Sequence, residues 1–141
     1  MRIAVLDDYQ DVARSLADWQ SAGAPVFFNT HLSHPEEKLN DFEVIVAMRE
    51  RTPFPAALIE ALPKLRLLVT TGMRNRSIDV AAANARGVTV CGTPGVNTNT
   101  AELTWGLILA LARQIPREDG AVRPRHWQTN DGFGVPRKTP A

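Results

Sequence analysis

The feature that most constrains this chain is an alternation of short apolar runs with helix-like segments. Residues 3–6, 26–28, 44–48, 67–70 and 88–91 are apolar runs rich in β-branched or aromatic side chains, which is the length and composition of strands. Between them, residues 11–19, 36–40, 55–62 and 77–86 place Ala, Leu and charged residues at helical spacing, and residues 100–115 add a last helical segment. Strands separated by helices cannot be joined by hairpins, so they predict βαβ crossovers and a parallel sheet covered on both faces. Five of them predict a flavodoxin-like three-layer α/β domain, strand order 2-1-3-4-5, with a long C-terminal linker helix. Asp8 is the expected cap of the first helix. Ser77 is the expected cap of the helix that stops before Gly87.

A length of 141 residues suits one core. Residues 1–115 read as the α/β domain with its linker helix. Residues 116–141 hold four prolines and three glycines without apolar periodicity, and read as an irregular tail with a short helical turn near residues 117–122.

A formal charge of +1 gives no broad basic face for nucleic acid. The single cysteine, Cys91, cannot close an internal disulfide, which fits a reducing, cytoplasmic setting. The longest apolar stretch, residues 103–112, is interrupted by Thr104 and is about half of a membrane span. Asp7 and Asp8 end the first apolar run far short of a signal core. A soluble protein is expected, with neither membrane nor nucleic acid as partner.

Ligands of open parallel sheets bind beyond the carboxyl ends of the strands. Three of those ends stand out. In Thr70-Thr71-Gly72-Met73-Arg74-Asn75, Gly72 allows a tight turn that leaves the amides of Met73, Arg74 and Asn75 facing a ligand. Arg74 adds a planar cation suited to a carboxylate. The competing view is an ordinary strand-to-helix turn with solvated arginines. In Met48-Arg49-Glu50-Arg51-Thr52, Arg49 can reach the same cleft, against a surface ion pair around Glu50. The third end is Cys91-Gly92-Thr93-Pro94-Gly95. Further on, Thr98 or Asn99 can cap the last helix and place Thr100 in its first turn, where free amides favour a polar or anionic ligand.

Other patterns fail. His31 and His34 are spaced like metal ligands but sit in a polar, proline-containing stretch with no supporting carboxylate motif. Asp7-Asp8 resembles the acidic pair of a receiver domain, yet Arg49 and Cys91-Gly92-Thr93 stand where that chemistry needs aspartate and lysine. No Gly-x-Gly-x-x-Gly occurs, and Gly132-Phe133-Gly134 follows no predicted strand.

Taken together, these residues resemble the D-isomer-specific 2-hydroxyacid dehydrogenases from Met1 to about Thr139. The resemblance rests on Thr71-Gly72-Met73-Arg74-Asn75 with Ile78-Asp79, on Arg86-Gly87-Val88, and on Thr100-Ala101-Glu102-Leu103 leading to Leu111-Ala112-Arg113. Ala4-Val5-Leu6-Asp7-Asp8-Tyr9 and Met48-Arg49-Glu50-Arg51-Thr52-Pro53 look like a bacterial subgroup.

The resemblance implies two α/β domains with the active site between them. It makes this chain the substrate-binding half of a NAD- or NADP-dependent oxidoreductase acting on a 2-hydroxy acid. Arg49, Thr71, Gly72, Met73 and Arg74 become the expected substrate-binding residues, and Thr100 lies near the cofactor. Much of the family has glycine in place of Arg74 and aspartate in place of Arg76, so amides and a side chain both stay open as the anion holder. In the family, Trp127-Gln128-Thr129 and Lys138-Thr139 lead towards the glycine-rich fingerprint, and the catalytic arginine, acid and histidine follow it. No catalytic residue carries over to this chain, which is expected to be a truncated, inactive short form that binds no cofactor tightly. The alternatives are a non-catalytic module for a small carboxylate or a partner, and a subunit completed in trans. Leu103, Trp105, Leu107, Ile108, Leu109, Leu111 and Ala112 spread around nearly the whole helix 100–115. That helix is therefore expected to meet a second copy or the missing cofactor domain.

Overall fold

The structure is a computed structural model that describes residues 1–96, 98–126, 129 and 131–134. The resembling segments at Trp127-Gln128 and Lys138-Thr139 lie outside the described residues. The chain forms two compact units, Met1–Gly95 and Val96–Ala141.

The first unit is the α/β domain. Its five strands are β1 (Ile3–Val5), β2 (Val26–Phe27), β3 (Val44–Ala47), β4 (Leu67–Thr70) and β5 (Thr89–Gly92). All pair in parallel, in the order β2-β1-β3-β4-β5. The expected order and strand positions hold, with ends shifted by a residue or two. Burial follows position in the sheet. β1 and β3 are almost wholly covered, while the edge strands β2 and β5 are largely exposed, as expected where helices cover the middle of a parallel sheet. Leu6, Ile45, Leu68 and Val88 meet Leu39, Phe54, Ile59 and Leu62 in one core.

The helices between strands are α1 (Ala13–Leu16), α2 (Trp19–Ala22), α3 (Pro35–Lys38), α4 (Ala56–Ala61) and α5 (Val80–Ala85). The N-cap of α1 is Val12 rather than the expected Asp8, whose carboxylate reaches in from the preceding turn and accepts from the Val12 and Ala13 amides at 3.1 and 2.9 Å. The helix expected over residues 11–19 is broken in two at Ala17, which is extended. Trp19 decides this: its indole N–H donates to the Ala13 carbonyl at 2.7 Å and its ring stacks edge-on against Phe27 at 5.5 Å. Ser77 does not cap α5. Asp79 does, accepting from the Ala82 amide at 2.9 Å, because Ser77 is held by a bridge between Phe54 and Ile78. Gly87 ends α5 in the left-handed region, φ 71°.

The second unit contains α6 (Thr98–Ala112) and α7 (Ile115–Val122). Gln114, at φ 52°, turns the chain between them. α7 extends beyond the single turn expected near residues 117–122, and Pro116 in its first turn costs it no hydrogen bond. Leu103, Trp105, Leu107, Ile108, Leu109 and Leu111 are all exposed on α6.

Candidate substrate-anion site

The carboxyl ends of β3, β4 and β5 come together through two close approaches, at Gly72 and Gly92. Gly72 has φ 113°, a conformation that L side chains rarely adopt. A Cβ there would stand 2.7 Å from Arg49 Nη1 and 3.1 Å from Arg49 Cζ. Gly92 faces backbone instead: a Cβ would lie 2.8 Å from the Gly72 carbonyl oxygen and 3.0 Å from Met73 Cα. At Gly95, Arg49 Nη2 is 3.7 Å from the Cβ position. The absence of a side chain at Gly72 leaves room for the Arg49 guanidinium over the loop after β4, while Gly92 lets that loop's backbone come close and Gly95 makes only ordinary contact.

Hydrogen bonds stitch the same loops. The Arg49 amide donates to Thr71 Oγ1 at 3.1 Å. Asn75 Nδ2 donates to the Arg49 carbonyl at 2.5 Å and to Thr70 Oγ1 at 2.9 Å, while Asn75 Oδ1 accepts from the Ser77 amide at 2.9 Å. The Gly72 amide donates to Thr93 Oγ1 at 3.0 Å. Among the described residues, no hydrogen bond uses the amides of Met73 and Arg74. Arg74 lines a cleft of about 330 Å³ with Thr70, Met73, Asn75 and Ile78.

Of the residues singled out in the sequence, Arg49, Thr71, Gly72, Met73 and Arg74 therefore share one end of the sheet. Among the described residues, no ion pair joins Glu50 to Arg49 or Arg51. Arg51 turns instead to the Asp7 carbonyl at 2.6 Å. Thr100 belongs to the second unit, in the first turn of α6, where its carbonyl accepts from the Thr104 hydroxyl at 2.7 Å. Thr98 and Asn99 lie inside the helix rather than capping it. His34 pairs with Glu36 at 3.4 Å, and no metal-binding cluster forms among the described residues.

Sequence reading passed over Thr93 and the side chain of Asn75. Both are short polar residues in loops, with no spacing that marks them. Only the meeting of distant loops shows that Thr93 takes the Gly72 amide and that Asn75 ties the β3 and β4 loops together.

A dinucleotide requires a glycine-rich turn opening a helix, with free amides for its pyrophosphate. The turn after β1 instead presents Asp7 and Asp8, both buried, and Asp8 already holds the first amides of α1. Two carboxylates would repel a pyrophosphate. These residues do not fit NAD. No helix of the described residues is long and apolar enough to cross a membrane.

Comparison with known proteins gives the family and the fold. A D-3-phosphoglycerate dehydrogenase from Archaeoglobus fulgidus is 34% identical over 116 residues, covering 80% of this chain and 22% of that protein. A glyoxylate reductase from Thermococcus litoralis is 32% identical over 113 residues, covering 73% of this chain and 34% of that one. The crystal structure of a phosphoglycerate oxidoreductase from Vibrio cholerae superposes with TM-score 0.77 at 40% identity, covering 97% of this chain and 45% of that chain. The chain thus spans between about a fifth and about a third of these two curated relatives' length. Residues 3–133 match the family described as D-isomer specific 2-hydroxyacid dehydrogenase, catalytic domain, and the chain belongs to that family.

Proposed function

We propose that the loops at the carboxyl ends of β3, β4 and β5 bind the carboxylate of a small 2-hydroxy or 2-oxo acid. They would form one wall of an oxidoreductase active site. The observation that carries this reading is the pairing of unused Met73 and Arg74 amides with the Arg49 guanidinium laid across Gly72. Backbone amides and a planar cation together suit a carboxylate. In the complete enzyme, NAD or NADP held by residues outside this domain would accept or give the hydride. A D-lactate dehydrogenase of the same fold, from Aquifex aeolicus, has been solved with NAD and lactic acid. Thr100 would approach that cofactor from the start of α6. The exposed apolar surface of α6 supports a cofactor domain or second copy as its cover, and the lone, exposed Cys91 supports a reducing, cytoplasmic setting.

NMR titration of the chain with pyruvate tests the site. The Met73 and Arg74 amides are expected to shift first, with affinity on the order of millimolar, about 4 kcal/mol, because one wall alone leaves the anion half-solvated. Arg49→Ala is expected to weaken binding by about tenfold. Arg74→Ala should weaken it less, since the Arg49 guanidinium already lies against Gly72 whereas Arg74 must lose more side-chain freedom to reach the ligand. Shifts that gather elsewhere would remove the assignment.

A further inference from the structure

The turn after β1 holds a carboxylate that no helix needs. Asp8 is committed to the first turn of α1, but Asp7 caps nothing. It is 1% exposed and sits in the left-handed region at φ 57°. Its carboxylate accepts from Thr52 Oγ1 at 2.7 Å and from the Tyr9 hydroxyl at 3.0 Å. Its carbonyl accepts from Arg51 Nη1 at 2.6 Å, and the Arg51 guanidinium covers the Tyr9 ring at 4.6 Å. Every one of these partners is either on β1's own turn or in the loop that follows β3.

That loop carries Arg49. Arg49 is itself left-handed, φ 52°, a strained conformation for a non-glycine residue that persists only when its surroundings hold it. On one side, Thr71 and Asn75 hold the Arg49 amide and carbonyl. On the other, two and three residues on, Asp7 holds Arg51 and Thr52. The loop is clamped at both ends with the guanidinium between them.

We propose that Asp7 is a positioning residue for the anion site, acting through Thr52 and Arg51 to hold Arg49 in its left-handed turn over Gly72. The inference rests on the carboxylate-binding reading above. The same contacts mark the Tyr9 phenol, which is raised from its ordinary value of 10.0. Desolvation is the first cause, then the hydrogen bond to Asp7 and the negative charge of Asp7, with Arg51 acting in the opposite direction.

The experiment uses the full chain with Asp7→Asn, Thr52→Val and Thr52→Ser. Asparagine tolerates the left-handed turn, valine deletes only the hydroxyl donor, and serine restores it. Tyr9 is the single tyrosine, so its ultraviolet titration reports the Asp7 contact without interference. In Asp7→Asn the Tyr9 midpoint should fall. In Asp7→Asn and Thr52→Val, exchange of the Arg49 and Arg51 amides should quicken and pyruvate affinity should drop about three- to tenfold, as for residues coupled through one network. Exchange at Ala83 and Val88, in the body of the domain, should not change, and Thr52→Ser should match the parent. The idea is overturned if Arg49 and Arg51 exchange is unchanged in both variants, or if pyruvate binds them as it binds the parent. If exchange quickens equally at Ala83 and Val88, Asp7 serves the fold and not the site. Should the parent itself bind no pyruvate, the carboxylate reading falls, and exchange at Arg49 and Arg51 alone decides whether Asp7 positions the loop.

Discussion

The Arg49 guanidinium occupies the space that any side chain on Gly72 would need, 2.7 Å from where its Cβ would be. Gly72 is constrained by φ 113°, while the guanidinium, at the end of a flexible side chain, can move aside. Gly72→Ala is expected to destabilise the domain by roughly 1–3 kcal/mol and to displace Arg49. Gly92→Ala should cost about as much for a different reason, since its Cβ meets the Gly72 carbonyl at 2.8 Å and backbone cannot swing aside. Gly134→Ala, with nothing within 4 Å, serves as the control. Urea midpoints would check the order, and equal midpoints for all three would contradict the close approach.

A polypeptide of these 141 residues is expected to fold but not to turn over. All five strands pair in one sheet, yet the sequence holds no glycine-rich dinucleotide fingerprint. Circular dichroism should show a mixed α/β spectrum. NADH should not be consumed with glyoxylate, pyruvate or hydroxypyruvate, and turnover surviving removal of contaminating enzymes would contradict this.

α6 exposes Leu103 at 65%, Trp105 at 59%, Leu107 at 62% and Leu111 at 77%. Covering each such side chain gains roughly 1.5–3 kcal/mol, so the polypeptide is expected to self-associate or capture a partner along this helix. Sedimentation across a wide concentration range would show it. Leu107→Glu and Leu111→Glu together should return the sample to monomer. A parent that stays monomeric and binds no hydrophobic dye would contradict the expectation.

At the amino ends of the strands, Asp41 pairs with Lys64 at 2.5 Å and Arg2 at 3.1 Å. The Lys64 hydrogen bond, then its charge, holds the Asp41 carboxyl below its ordinary 3.8. Glu43 is held below 4.5, first by the Arg2 amide. A carboxyl with a lowered folded value stabilises above its ordinary value, and that stability is lost as pH falls through the lowered one. Both groups face solvent, so the effect is small. Lys64→Met should lower the urea midpoint slightly near neutral pH, and the difference from the parent should shrink as pH falls below the ordinary 3.8 and vanish in strong acid. A difference that persists in strong acid would assign the loss to packing instead.

Much of this domain could be read from the chain alone. β-branched runs at 44–48 and 67–70 marked β3 and β4 because a strand buried on both faces must be apolar throughout. Gly72 and Gly87 marked turns because few other residues accept their backbone angles. Asp8 was readable as the partner of α1's first amides because that contact is local, though the cap position itself is Val12. Ser77 was misread for the same reason: local spacing favours it, but the Phe54–Ile78 bridge takes its backbone away and leaves the cap to Asp79.

The sequence by itself determined the alternation of elements, the strand order and the family, since each depends on local periodicity or on motifs in order along the chain. Tertiary structure alone decided that Arg49 is laid over Gly72, that Thr93 takes the Gly72 amide, that Asn75 joins two loops, and that Asp7 reaches Thr52. These pairs are 21 to 45 residues apart for the hydrogen bonds to Gly72, Arg49 and Asp7. A parallel sheet gathers its loops at one end whatever their distance along the chain, and a single short polar side chain carries no periodicity to announce what it will meet there.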